Sequence, residues 1–166
     1  FMNEIALSLN TLNLNWSITE IAAIFFSIIY VILSVREDIL CWFFAAISTL
    51  LYIYICFNAK LFAETGLQIF YLLMAAYGYY NWNKPKEKLA ISHWKVSQHL
   101  LVMLFGAFLT FLMGFYFATY TSAKMPIIDS LTTSFSILAT YMMTKKVLES
   151  WLYWIIIDLV SVYLYF

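Results

Sequence analysis

Residues 18–35 read ITEIAAIFFSIIYVILSV, a run whose only charge is Glu20 and which meets no basic residue before Arg36. As a helix rising about 1.5 Å per residue it is about 27 Å long, close to the roughly 30 Å hydrocarbon core of a bilayer. The rest of the chain is built the same way. Of its 166 residues, 64% are hydrophobic and only 11% are charged, whereas a soluble domain carries about a quarter charged residues. Such a chain cannot cover itself with polar surface in water. The expected class is an all-α polytopic membrane protein. It should fold as one unit, because no Gly/Ser/Pro-rich linker divides it.

Working outward from this run, the apolar stretches give six spans: 18–35, 39–57, 64–82, 96–120, 127–144 and 148–166. The breaks hold turn-forming and charged residues: Arg36-Glu37-Asp38, Asn58-Ala59-Lys60, Asn83 to Lys88, Thr121 to Pro126, and Lys145-Lys146. Residues 1–17 alternate Leu and Asn and are expected to lie along the interface, ahead of a transmembrane domain over 18–166. Placing the first, third and fifth loops inside puts Arg36, Lys84, Lys86, Lys88, Lys95, Lys145 and Lys146 there, and leaves Lys60 and Lys124 outside. Basic residues favour the cytoplasmic loops, so the N-terminus is expected to face outward. Trp42, Trp82, Trp94 and Trp151 gather at span ends, where amphipathic rings favour the headgroup zone. The N-terminal residues lack a cationic segment followed by a small-residue cleavage site, so a cleaved signal peptide is not expected.

A weak internal repeat organises the spans. Moved 109 positions along, Phe26-Ser27-Ile28 falls on Phe135-Ser136-Ile137, Glu20 on Asp129, Arg36 on Lys145, Trp42 on Trp151 and Tyr54 on Tyr163. One register therefore aligns an acid at one end of a span, a base at its other end, and a Trp six residues later. An offset of four spans keeps both copies in the same orientation, the layout of carriers built from parallel repeats. Residues 18–82 would form the first repeat, 96–120 a linker helix, and 127–166 an incomplete second repeat that lacks its last helix.

Ionisable and amide groups inside spans are costly and point to a ligand path. Trp151, Trp154 and Asp158 share one side of the sixth span, with Asp158 near mid-membrane. Glu64, Gln68 and Tyr71 share a side of the third span. Asp129, Thr132, Thr133, Ser136 and Thr140 stripe the fifth, and Glu20 and Ser27 lie on one face of the first. These stripes are expected to face one another around a wet cavity. The plainer readings stay open: hydroxyls bond their own helix carbonyls, and Glu20, Glu64 and Asp129 suit helix starts at an interface.

Several function classes are excluded or disfavoured. Zero net charge gives no field for nucleic acid, and no Walker loop, Gly-x-Ser-x-Gly or His-Glu-x-x-His is present, so neither an ATP-driven pump nor an enzyme is expected. Cys41 and Cys56 fall inside apolar spans and read as small packing residues. His93 and His99 have no acidic or thiol partner nearby in sequence, so neither a metal nor another cofactor is expected. Gly114-x3-Ala118 allows a close helix contact.

The order and spacing of these residues resemble the PnuC family of bacterial vitamin transporters over nearly the whole chain. The match rests on Asn15-Trp16-x3-Glu20, Arg36-Glu37-x4-Trp42, Gln68-x2-Tyr71 with Tyr77-Gly78, Asp129-Ser130-x-Thr132, and Glu149-Ser150-Trp151-x2-Trp154. The resemblance implies two three-helix repeats joined by a linker helix, in the manner of SWEET sugar transporters. It also implies facilitated diffusion of a vitamin across the inner membrane, trapping by a cytoplasmic kinase, and assembly as a homotrimer. It assigns binding to Gln68, Tyr71, Trp151, Trp154 and residue 158. Nicotinamide riboside carriers show Trp-x3-Asn at the last of these, and this chain has Trp154-x3-Asp158. An ionised Asp only accepts hydrogen bonds and suits a donor-rich cation, so thiamine is narrowly favoured here over nicotinamide riboside. A non-transporting membrane scaffold is the reading from another class.

Overall fold

The computed structural model describes residues 17–83, 89–120 and 125–165, without the side chains of residues 62, 63, 164 and 165. The expected interfacial segment 1–17 lies outside them except for Ser17, as do Lys84, Lys86 and Lys88. Six helices follow in order: α1 Ile18–Val35, α2 Cys41–Asn58, α3 Phe62–Trp82, α4 Val96–Tyr120, α5 Pro126–Thr144 and α6 Ser150–Tyr165. No strand is present among the described residues. Of the six, α1, α2 and α4 are long and apolar enough to cross a membrane on length and composition alone. Helices α3 and α5 fall short because they carry the polar stripes.

Local chemistry sets the helix ends. Ser17 caps α1 through a capping box: its Oγ accepts from Glu20 N–H at 3.2 Å, and Glu20 Oε2 accepts from Ser17 N–H at 2.7 Å. That accounts for Glu20 without a ligand. Pro126 starts α5, where its missing N–H costs nothing. Helices α2 and α6 begin two residues later than the apolar runs suggest. Residues 38–40 and 147–149 are spent in the preceding turns, whose carbonyls accept from the first helical N–H groups.

The turns after α1 and α5 share their backbone hydrogen bonds. Glu37 N–H donates to Ser34 O at 3.1 Å and Asp38 N–H to Leu33 O at 3.0 Å. At the equivalent positions Lys146 N–H donates to Met143 O and Val147 N–H to Met142 O, both at 3.0 Å. Cys41 bonds Asp38 as Ser150 bonds Val147, and Trp42 bonds Ile39 as Trp151 bonds Leu148. Glu37 and Lys146 share a left-handed conformation, with φ of 56° and 53°. The turn after α2 has the same form, with Lys60 at φ 58°, Lys60 N–H on Phe57 O at 3.0 Å and Leu61 N–H on Cys56 O at 2.9 Å.

The packing is that of a membrane protein. Large apolar side chains point outward, among them Phe25, Phe108, Phe111, Phe115 and Leu159, while many of the buried positions are small, Ala23, Ala45, Ala75, Ser130, Ser134 and Ala139 among them. Lipid is as apolar as Leu, so close backbone approach rather than water exclusion holds such helices together. α5 packs on α3, α4 and α6, which makes it the central helix, and α2 joins α1 to α3. Gly114 packs against Ile127 and Ser130 of α5, so this glycine serves a contact inside the chain. In the first unit, Trp42 is 3% exposed and lies edge-on to Trp82, with ring centroids 5.3 Å apart. Its indole occupies the space that a side chain at position 78 would need. A Gly78→Ala substitution should therefore destabilise the protein by about 1–3 kcal/mol through overpacking. Gly66→Ala, where no atom lies within 4 Å of the added methyl, should be neutral or slightly stabilising. Melting temperatures of the two variants in detergent check this ordering.

Candidate functional site

The polar stripes of α3, α5 and α6 meet at Tyr71. Its hydroxyl interacts with the side chain of Ser136 on α5 and lies within electrostatic reach of Glu64 on its own helix and Asp158 on α6. Glu64 is in turn within reach of Asp129 at the start of α5. On the other side Tyr71 faces Tyr30 of α1, whose hydroxyl donates to Met143 Sδ at 2.7 Å.

Aromatic rings adjoin this polar region. Trp151 and Trp154 are half-buried against a cluster formed by Cys41, Trp42, Ala45, Ala75 and Met143. Tyr30 and Trp42 extend it, with centroids 6.3 Å apart. The indole N–H of Trp154 is buried and has no hydrogen-bond partner. An unpaired buried donor costs free energy, so this N–H is a group for which a ligand acceptor would be a gain. It lies one helical turn from Asp158 on the same side of α6, which sets a donor beside an acceptor.

The residues singled out by the sequence divide into two sets. Tyr71 lies within electrostatic reach of Ser136, Glu64 and Asp158, and Glu64 within reach of Asp129. Thr132 donates to the carbonyls of Ile128 and Asp129 at 3.1 and 3.0 Å and so follows the plain packing reading, as does Thr140 with Ser136 O at 2.7 Å. Gln68 is half-buried on the Glu64–Tyr71 side of α3. Asp158 departs from expectation in its environment. It is exposed, and its neighbour Ile157 is the buried residue. A groove of about 450 Å³ between α3, α4 and α5 is lined by Phe70, Met74, Phe105 and Tyr141, among others, and touches none of the expected site residues. Tyr30 was missed, although Ser27, Tyr30 and Ser34 share the i, i+3, i+7 spacing that marked the other stripes.

The histidine reading also needs correction. His93 Nδ1 lies 3.0 Å from Glu149 Oε1, an acidic partner 56 residues away that spacing alone does not reveal. Even so, no group of three or more His, Cys, Asp or Glu that could hold a metal occurs among the described residues. Burial opposes the charge on Glu149, but hydrogen bonds from its own backbone N–H, from His93 and from the Trp94 N–H outweigh it and lower its pKa below the ordinary 4.5. A carboxylate with a depressed folded pKa stabilises the fold above its unfolded value and loses that contribution as pH falls through the folded one. Melting temperature should therefore drop on acidification below pH 4.5, and Glu149→Gln should flatten that part of the drop. An unchanged acid limb in the variant would remove Glu149 from the account.

Comparison with known proteins agrees with this architecture. Residues 17–166 match the family described as nicotinamide mononucleotide transporter. The nicotinamide riboside transporters PnuC of Escherichia coli K12 and Shigella flexneri are each 26% identical, over 78% of this chain and 66% of theirs. The chain thus spans just under two thirds of the length of these curated relatives. The crystal structure of the vitamin B3 transporter PnuC superimposes with a TM-score of 0.73 over 97% of this chain and 72% of that one, at 23% identity. With a matching family profile over nearly its full length and a shared helical fold, the chain belongs to the PnuC family of membrane transporters.

Proposed function

We propose that this chain carries a cationic B-vitamin between its two repeats by facilitated diffusion, with nicotinamide riboside as the first reading. The observation that carries it is the electrostatic reach of Tyr71 on α3 to Ser136 on α5 and Asp158 on α6, with Trp151 and Trp154 half-buried on the same helix as Asp158. A permanent cation cannot cross hydrocarbon unaided. Carboxylates concentrate it at the path, and Trp and Tyr faces attract it once water is shed. The carboxamide of nicotinamide has NH₂ donors that suit Asp158 and an oxygen that suits the unpaired Trp154 N–H. The names of the curated relatives support the same substrate.

Thiamine is the second reading, favoured by one observation. Position 158 holds Asp where the resemblance leads one to expect Asn in a nicotinamide riboside carrier, and the aminopyrimidine of thiamine is also rich in donors. We assign the division into repeats at 18–82 and 127–166 with a linker helix at 96–120, an inner-membrane location with the N-terminus outside, a homotrimeric assembly, and trapping by a cytoplasmic kinase to the same reading. The charge bias of the loops supports the orientation.

Uptake of labelled vitamin into proteoliposomes tests the proposal, since a scaffold would leave the lumen empty. Gln68→Ala should impair uptake while the protein still inserts. Asp158→Asn should weaken thiamine binding by about tenfold or more, the scale of a hydrogen bond to a charged group, while sparing or improving nicotinamide riboside. Unchanged binding of both ligands in that variant would remove Asp158 from the site.

A further inference from the structure

The turn after α1 and the turn after α5 share their hydrogen bonds, their left-handed residue and their place in the repeat. At that left-handed residue stand Glu37 in one and Lys146 in the other, and neither is glycine. Lys60 after α2 adopts the same left-handed turn, so the conformation alone singles out neither residue, and what sets this pair apart is where their side chains reach. They meet: Lys146 Nζ lies 2.8 Å from Glu37 Oε2. Because the two residues are repeat equivalents, the pair bridges the repeats where matching turns face each other.

The lysine is the enclosed member, with 13% of its side chain exposed against 44% for the glutamate. Its ammonium also sits 4.5 Å from the centre of the Trp82 ring. Under the pair lies a small void of about 80 Å³, lined in part by Trp82, Met143, Ser150 and Trp151, which connects the turns to the aromatic cluster. The base of Lys146 is fixed. Ser92 N–H donates to Lys146 O, and Leu148 N–H to Ser92 O, both at 3.0 Å, which ties the second turn to the segment before α4. The first turn has no such tie among the described bonds between backbone groups. One partner is thus anchored, and the other rides on the first repeat.

We propose that Glu37 and Lys146 form a latch that holds the two repeats closed over the Trp82–Trp151 end of the path and must open for a ligand to leave at that end. This rests on the carrier reading, since only a path that opens needs a latch. Ser150→Cys supplies a reporter under the latch: Ser150 is 1% exposed, lines the void, and its hydroxyl has no hydrogen-bond partner. In purified protein in lipid nanodiscs without substrate, a water-soluble maleimide should alkylate this thiol slowly. Adding Glu37→Gln or Lys146→Gln should speed alkylation about 2- to 5-fold, the scale of a half-exposed ion pair. The charge-exchanged Glu37→Lys, Lys146→Glu variant should return it toward the slow rate. Protein without the reporter gives the background from Cys41 and Cys56. Equal rates in all forms, or no recovery on charge exchange, overturn the latch. Because no vitamin is present, that result stands apart from an empty lumen in the uptake assay, which would strike the carrier reading itself.

Discussion

The structure depends on the narrowness of α5. Ser130, Ser134, Ser136, Ala139 and Thr140 are buried along it, and two of the hydroxyls are spent on carbonyls of their own helix, Ser130 on Pro126 O at 2.6 Å and Thr140 on Ser136 O at 2.7 Å. Inside a bilayer an apolar side chain gains little by turning inward, so helices associate where their backbones can come close. α5 offers that surface to three neighbours at once. Phe135 and Leu138 fill the space above Gly106 of α4, and Met143 reaches the aromatic cluster of the first repeat. A bulky residue anywhere along that stripe would push apart helices that belong to different repeats.

The same economy accounts for the position of the polar groups. A carboxylate in hydrocarbon is expensive, and here Glu64, Asp129 and Asp158 come from three helices to within reach of one phenol or of each other. The unpaired Trp154 N–H fits the same picture, since a site for a transient ligand leaves its donors unsatisfied between visits.

Duplication gives the fold its two matched turns, and divergence gives them different roles. Trp42 and Trp151 are equivalent, yet Trp42 is locked against Gly78 and Trp82 while Trp151 is half-buried at the edge of the site. Ala45 and Thr49 stand where the second repeat has Trp154 and Asp158. The first repeat has become the packed wall and the second the chemically equipped one.

The sequence by itself determined the membrane class, the six helices to within two or three residues at their ends, and the stripes, because apolar run length, charged breaks and helical period are local properties. It also showed that Tyr71 and Asp158 lie on polar faces. Which faces meet was decided only by the tertiary structure, because a stripe records the side of its helix and nothing about the neighbour. That is why Tyr30 against Met143, Glu149 against His93 and Glu37 against Lys146, pairs 113, 56 and 109 residues apart, were not legible beforehand. The exposure of Asp158 belongs to the same class: the burial of a side chain is fixed by what packs beside its helix, and no periodicity within the helix encodes that.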